Sequence, residues 1–224
     1  MENQGNDYKD LYNLICVSAR KGPIMNLMHG LLEKKHRKSH FAHVLEVGAH
    51  KGEHLSYVQH SYDTYTLSDI QEMLPEEIHQ LPKGVEFVSA NVECLPFDDS
   101  MFDRVISTCV LHHLSNLDDA IDELVRVCKP GGVISILLPT DPGLTYRGVK
   151  FLGSGIRAKK LGLLNQVKLF HAREHRNHYH SIAVILRAKL ELHPFKVKFW
   201  PFRVPSWNLN ALTIWEIRKA DFYD

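Results

Sequence analysis

The sequence predicts an α/β fold: a mostly parallel sheet with covering helices, closed by an antiparallel strand pair. Three observations carry this reading. From Val44 to Leu138, short apolar runs alternate with helix-patterned segments, and such alternation builds parallel sheets. The first apolar run ends in a turn with two spaced glycines, Gly48-Ala49-His50-Lys51-Gly52, where small residues let the backbone approach a ligand closely. The tail then changes character. Phe195–Phe202 and Leu212–Ile217 are aromatic and β-branched and are joined by Pro205-Ser206-Trp207-Asn208, the pattern of an antiparallel pair.

Each element follows from local signals. Leu11, Leu14 and Ile15, then Ile24, Leu27, Met28, Leu31 and Leu32, recur at helical spacing. Gly22-Pro23 separates two such helices, and the basic stretch from Glu33 to His40 reads as a solvated end. Strands are expected at Val44–Val47, Thr64–Leu67, Val85–Val88, Arg104–Thr108 and Val133–Leu138. The turn at Gly48–Gly52 reads as a helix start. Leu117, Ala120, Ile121, Leu124, Val125 and Cys128 mark one face of a helix, with Asn116 as its cap and Gly131-Gly132 as its end. About fifty residues separate Pro139 from Pro194, whereas a crossover needs only a dozen or more. The excess, residues 141–185, is expected to form a substrate lid.

Composition sets limits. The chain has 224 residues, 44% hydrophobic and 24% charged, ordinary values for one soluble globular domain. A net charge of +1 gives no global pull toward nucleic acid or anionic membrane. Cys16, Cys94, Cys109 and Cys128 form no Cys-x-x-Cys pair, so they read as buried reduced thiols in a cytoplasmic protein. Met1–Asp10 is polar and lacks an apolar signal core. No stretch approaches the ~20 apolar residues of a spanning helix.

A ligand is expected beyond the carboxyl ends of the strands, where the sheet order reverses. The Gly48–Gly52 turn is one wall, and Glu46 adds a carboxylate as the chain leaves the strand. Asp69, in Thr66-Leu67-Ser68-Asp69-Ile70, lies about twenty residues further on, where an acid can accept both ribose hydroxyls. A helix-capping Asp is the alternative, and the spacing alone also fits a dinucleotide enzyme.

The segment Asn91-Val92-Glu93-Cys94-Leu95-Pro96-Phe97-Asp98-Asp99-Ser100-Met101-Phe102-Asp103 decides between these. Together with Val105–Leu114 and Leu124-Val125-Arg126-Val127-Cys128-Lys129-Pro130-Gly131-Gly132, it resembles class I S-adenosylmethionine-dependent methyltransferases. The subgroup that includes the ubiquinone and menaquinone biosynthesis methyltransferases is the nearest in look. The resemblance covers roughly residues 40–140 and the closing strand pair. The full expectation is a Rossmann-like three-layer sandwich with a seven-stranded, mostly parallel sheet and an antiparallel closing strand. A helical cap would occupy residues 1–40, and the methyltransferase domain, with its 141–185 insertion, residues 41–224.

The resemblance also implies a site. Glu46, Gly48 and Gly52 would hold the methionine part of the cofactor S-adenosyl-L-methionine, and Asp69, followed by Ile70, its ribose. Asn91 stands where an Asp is usual. Its amide oxygen can still accept from the adenine amine, and Val92 would offer its N–H to the ring. Thr108 to Leu111, Cys109 among them, would flank the sulfonium. His50 replaces a common middle glycine; crowding the cofactor, touching its carboxylate and touching the substrate all stay open.

Catalysis then rests on aligning an acceptor for in-line attack. An oxygen acceptor also benefits from a base, for which His112 and His113 are candidates. The alternative for either is a histidine packed beneath the adenine or in the core. Asp141, in Pro139-Thr140-Asp141-Pro142, faces the site or simply forms a turn. In the lid, His171, His175 and His178 share a face if the segment is helical. A metal site is conceivable there, but His-x-x-x-His without a nearby acid on that face is a weak signal, and none is expected. A solvated polar helix competes with a cationic wall, in which Arg173 and Arg176, beside His175 and His178 and aided by Arg157, Lys159 and Lys160, meet a phosphate, carboxylate or sugar.

The expected function is methyl transfer to oxygen or nitrogen of a small molecule, anionic or sugar-like, such as a metabolite or natural-product intermediate. A carbon acceptor stays open. A monomer or homodimer without nucleic acid or membrane span is expected. The rivals are a non-catalytic S-adenosylmethionine-binding partner, a nucleic-acid or protein methyltransferase and an NAD-dependent dehydrogenase.

Overall fold

The computed structural model describes residues 23–71 and 75–221. The predicted helix around Leu11, Leu14 and Ile15, and Cys16, lie outside the described residues. Helix α1 (Pro23–Glu33) leads into β1 (His40–Val47) and β2 (Ser61–Asp69). A short α2 (Pro75–Ile78), β3 (Val85–Ser89) and β4 (Phe102–Thr108) follow, then α3 (Leu117–Val127) and β5 (Cys128–Pro139). The insertion contains α4 (Leu144–Lys150), a π-helical turn (Phe151–Gly155), α5 (Ile156–Lys160) and α6 (Leu164–Glu174). Helix α7 (Tyr179–Lys189), β6 (Phe195–Trp200) and β7 (Leu212–Arg218) complete the fold.

The strands form one seven-stranded sheet in the order β3-β2-β1-β4-β5-β7-β6. The pairs among β1 to β5 are parallel, and β7 runs antiparallel to both β5 and β6. The chain therefore moves outward from β1 to β3 and restarts on the other side at β4. This reversal puts a crevice beyond the carboxyl ends of β1 and β4.

Three local expectations change. β1 and β2 begin well before their apolar runs, because polar pairs carry the ladder: His40 Nδ1 lies 3.0 Å from Ser61 Oγ, and His43 Nδ1 lies 2.8 Å from Thr64 Oγ1. The Gly-rich turn opens no α-helix. Residues 48–60 hold turns and one 3₁₀ turn at Leu55–Tyr57, because Gly48, His50 and Gly52 all adopt left-handed φ values of 63°, 48° and 75° that a right-handed helix cannot contain. Helix α3 has the predicted cap, with Asn116 accepting from the Asp119 N–H at 3.3 Å, but it ends at Val127 rather than at Gly131-Gly132. Pro130 disfavours helical backbone in the residue before it, and Cys128 already starts β5.

Apolar layers cover both faces of the sheet. On one, Leu45, Val105, Ile134 and Trp215 pack with Ala120, Ile121 and Leu124 of α3 and with Ile182 and Leu186 of α7. On the other, Val44, Leu67, Ile106 and Ile214 pack with Met28 and Leu32 of α1. The predicted lid is thus divided. Its last part, α7, belongs to the core, while Ala158, Val167 and Phe170 of the preceding helices form a small cluster of their own. Cys128 is buried as expected, but Cys94 is exposed, and neither forms a disulfide among the described residues. No described helix is long and apolar enough to cross a membrane.

The predicted solvated end of α1 is a correction of another kind. Glu33 and Arg104 are both fully buried. Arg104 Nη1 donates to Glu33 Oε2 at 2.9 Å, Nη2 lies 2.8 Å from Oε1, and His54 Nε2 lies 3.0 Å from Oε1. Burial opposes the Glu33 charge, yet bonds to His54 and Arg104 lower its pKa to about 2. A desolvated carboxylate persists only with such partners, and this one pins α1 to β4.

Candidate active site

The Gly-rich turn is built for close approach. Gly48 has φ 63°, and a Cβ there would sit 2.3 Å from Val110 Cγ2, so only glycine lets the loops after β1 and β4 touch. His50 also adopts a left-handed φ of 48°, which explains why glycine suits that position. Its imidazole turns to Glu53, with Nδ1 2.9 Å from Oε1, and its N–H donates to Asp69 Oδ2 at 2.8 Å. Gly52 has φ 75°.

Asp69 ends β2 half-buried, and its Oδ1 accepts from the Gln71 N–H at 2.9 Å. A carboxylate has about four acceptor sites, so lone pairs remain on both oxygens. Ile70 beside it is 71% exposed. Across the β2–β3 edge, Asn91 Oδ1 accepts from the Glu93 N–H at 3.0 Å, and the buried Val92 anchors that loop. Glu46 departs from expectation. It is 1% exposed and accepts from the Tyr65 hydroxyl at 2.7 Å. Burial raises its pKa, against the opposing pull of His54 and Tyr65. It braces β1 to β2 and offers no surface to the crevice.

Thr108 ends β4, and Cys109 follows with φ 58°. A 3₁₀ turn, Leu111–His113, then places two histidines differently. His112 is 4% exposed, and its buried Nδ1 has no hydrogen-bond partner. Burial, then the nearby His113 and His175, push its pKa well down. A side chain so enclosed is a poor base for an incoming acceptor. His113 is exposed, with Nδ1 2.9 Å from the Glu174 carbonyl.

Asp141, just past β5, meets His175: Oδ2 and Nδ1 are 2.6 Å apart. Burial works against the Asp141 charge, but the His175 bond and charge outweigh it and lower the pKa. The rings of His112 and His113 lie 4.0 Å apart, and those of His112 and His175 4.4 Å. The shared helical face expected for His171, His175 and His178 does not form. Helix α6 ends at Glu174, and His178 is the exposed residue preceding α7. The acid missing from that face comes from the end of β5.

Of the other wall residues, Arg173 is exposed, and Arg176 Nη1 donates to Ser115 Oγ at 2.5 Å. The Asn177 N–H donates to the His112 carbonyl at 3.1 Å and its Nδ2 to the Leu114 carbonyl at 2.8 Å. Tyr179 N–H bonds the Asp141 carbonyl at 2.9 Å. These bonds clamp the α6–α7 corner onto the ends of β4 and β5. Sequence reasoning misses Asn177; its position between two helical patterns is the one available signal. A separate surface cleft of about 290 Å³, lined by His40, Asp103, Lys129 and Arg218 among others, lies at the opposite end of the sheet.

Residues 45–136 match the methyltransferase domain family. A 65-residue stretch is 37% identical to the ubiquinone/menaquinone biosynthesis C-methyltransferase UbiE of Legionella pneumophila (strain Corby), covering 28% of this chain and 26% of that protein. The match therefore spans about a quarter of the curated relative's length. Among solved structures, YcgJ from Bacillus subtilis superposes with a TM-score of 0.59 at 15% identity, covering 87% of this chain and 99% of that one. N-methyltransferase NodS from Bradyrhizobium japonicum in complex with S-adenosyl-L-homocysteine gives 0.59 at 14% identity, covering 90% of each chain. The fold is that of the S-adenosylmethionine-dependent methyltransferases.

Proposed function

We propose that the chain transfers a methyl group from S-adenosylmethionine to an oxygen or nitrogen of a small, anionic or sugar-like acceptor. The observation that carries this reading is the methyltransferase-domain match over residues 45–136, whose turn after β1 meets the loop after β4 at Gly48 and Val110. The residues present suit the cofactor: a left-handed glycine turn, a strand-end carboxylate with spare lone pairs and an exposed apolar side chain beside it.

Backbone of the Gly48–Gly52 turn takes the methionine end. Asp69 would accept hydrogen bonds from the ribose hydroxyls, and Ile70, Asn91 and Val92 would hold the adenine. Thr108 and Cys109 flank the sulfur. When bound, S-adenosylmethionine supplies an electrophilic methyl on a sulfonium. The acceptor's heteroatom would take that methyl as the carbon–sulfur bond breaks, with S-adenosylhomocysteine as the leaving group. The acceptor's proton departs toward the corner of His113, His175 and Asp141. Residues 141–178 form the acceptor side, where Arg173 offers a cation to the acceptor's anionic group.

Thermal melting tests the cofactor. A ligand at a hundredfold excess over its dissociation constant stabilises by about 2.7 kcal/mol. S-adenosylhomocysteine should raise the midpoint, and NAD should leave it unmoved. The opposite pattern would sink the reading. Acceptors are then screened by S-adenosylhomocysteine release.

A further inference from the structure

We propose that His112, His113 and His175 form a site for one divalent transition-metal ion of the zinc type, with one coordination position left for water or the acceptor. Two separate stretches supply these residues, the turn after β4 and the α6–α7 corner. One nitrogen from each histidine lies within 4.8 Å of the others. A tetrahedral centre with bonds of ~2.0–2.1 Å needs them ~3.4 Å apart, so binding the ion would draw the three rings closer together.

The surroundings of the rings point the same way. His175 Nδ1 faces the Asp141 carboxylate at 2.6 Å, and His113 Nδ1 faces the Glu174 carbonyl at 2.9 Å. A neutral imidazole that donates through Nδ1 presents its lone pair at Nε2. Carboxylate and carbonyl acceptors behind histidines are the usual means of orienting metal ligands. His112 adds a second, independent observation. Its Nδ1 is buried without a partner, whereas buried polar atoms nearly always have one. Both ring nitrogens of His171, whose ring is 5.2 Å from that of His175, are likewise buried and unpartnered.

The donor set selects the ion. Three imidazoles without a ligating carboxylate favour zinc, cobalt or nickel over magnesium or calcium. Three protein ligands also leave the open position found at catalytic rather than structural zinc. A cation here would draw the acceptor's heteroatom to the end of β4 and ease loss of its proton. It would also fasten the α6–α7 corner to the sheet. This inference rests on the methyl-transfer reading for the acceptor's role, but the metal site itself does not.

The test uses tag-free protein, stripped with chelator, loaded with Zn²⁺ and dialysed against metal-free buffer. Elemental analysis should find about one zinc per chain, and Co²⁺ loading should give the visible absorption of a four-coordinate site. His113→Ala, at an exposed position, and His175→Ala should lose the metal. Asp141→Asn should weaken binding about 10–100-fold. Calorimetry with S-adenosylhomocysteine on the stripped protein separates the two readings. Zinc retained without that binding upholds the site and overturns the methyltransferase. Wild type retaining no more zinc than the His113→Ala/His175→Ala double variant overturns the site, even with S-adenosylhomocysteine bound.

Discussion

The backbone N–H of His50 donates to Oδ2 of Asp69 at 2.8 Å, so the carboxylate proposed to hold the ribose also ties the Gly-rich turn to the end of β2. Asp69→Ala removes both roles. Hydrogen bonds to a charged group are worth about 1.5–3 kcal/mol, so affinity for S-adenosylhomocysteine should fall at least about tenfold. Asp69→Asn keeps an acceptor for His50 and should retain the turn while weakening the cofactor. Titration calorimetry showing wild-type affinity in the Ala variant would remove Asp69 from the site.

Gly48→Ala should be more damaging than its size suggests. A left-handed conformation costs a non-glycine residue about 1–2 kcal/mol, and the new Cβ would lie 2.3 Å from Val110 Cγ2. We expect a lower melting temperature and loss of cofactor binding. In Gly48→Ala/Val110→Ala the clash is gone and part of the stability should return. A double variant no more stable than the single one would show that contact with Val110 is not what demands glycine.

The Glu33–Arg104 pair predicts a non-additive response. Removing one partner of a buried ion pair typically costs about 3–5 kcal/mol, so Glu33→Gln and Arg104→Met should each destabilise strongly. The double variant leaves no orphaned charge and should cost clearly less than the sum. Chemical denaturation of all three gives the coupling, and simple additivity would refute it.

The sheet was legible because hydropathy registers one-dimensional patterning: the runs around Val44, Val105 and Ile134 are apolar on both faces, as buried parallel strands require. Glu33 was not legible. Nothing local distinguishes it from a solvated helix end, because its partner Arg104 is far along the chain. The same holds for His175 and Asp141, which only the β5 end and the α6–α7 corner bring together. Glu46 misled differently: the motif fixed its position, but strand alternation turned its side chain into the core.

Acid should unfold the protein through histidines that burial keeps neutral. Burial, chiefly, lowers the pKa of His29, His36 and His60 to about 4 and that of His171 to about 3. Below the ordinary value of about 6.5, the unfolded chain takes up protons that the folded one refuses. Stability is thus full above about pH 6.5 and falls as pH drops toward 4, by up to about 1.4 kcal/mol per pH unit for each such group. Glu33 adds a loss in the same direction from about pH 4.5 down to 2. Urea midpoints should be flat above about pH 7 and decline steeply from about pH 6.5 to 5. A midpoint unchanged down to about pH 5 would mean these histidines are charged or exposed in the native state.

The last prediction concerns residues 141–178. Their helices have a separate small cluster of Ala158, Val167 and Phe170, and Phe151, Leu152 and Leu161 lie largely exposed, at 48%, 70% and 55%. Segments with so few buried contacts open locally at little cost. The corner at Glu174–Tyr179 is different, clamped by Asn177 and by the His175–Asp141 contact. Amide exchange should therefore be fast over 144–170 and slow over 177–190 in the unliganded protein. Cofactor with acceptor should protect 144–174 beyond cofactor alone. If Arg173 meets an anionic acceptor, Arg173→Ala should raise the acceptor KM without changing cofactor affinity. His175→Ala should instead lower kcat, by about 10²–10⁴-fold if its corner handles the proton. Equal exchange in both liganded states, together with normal turnover by Arg173→Ala, would move the acceptor site away from this segment and toward α1.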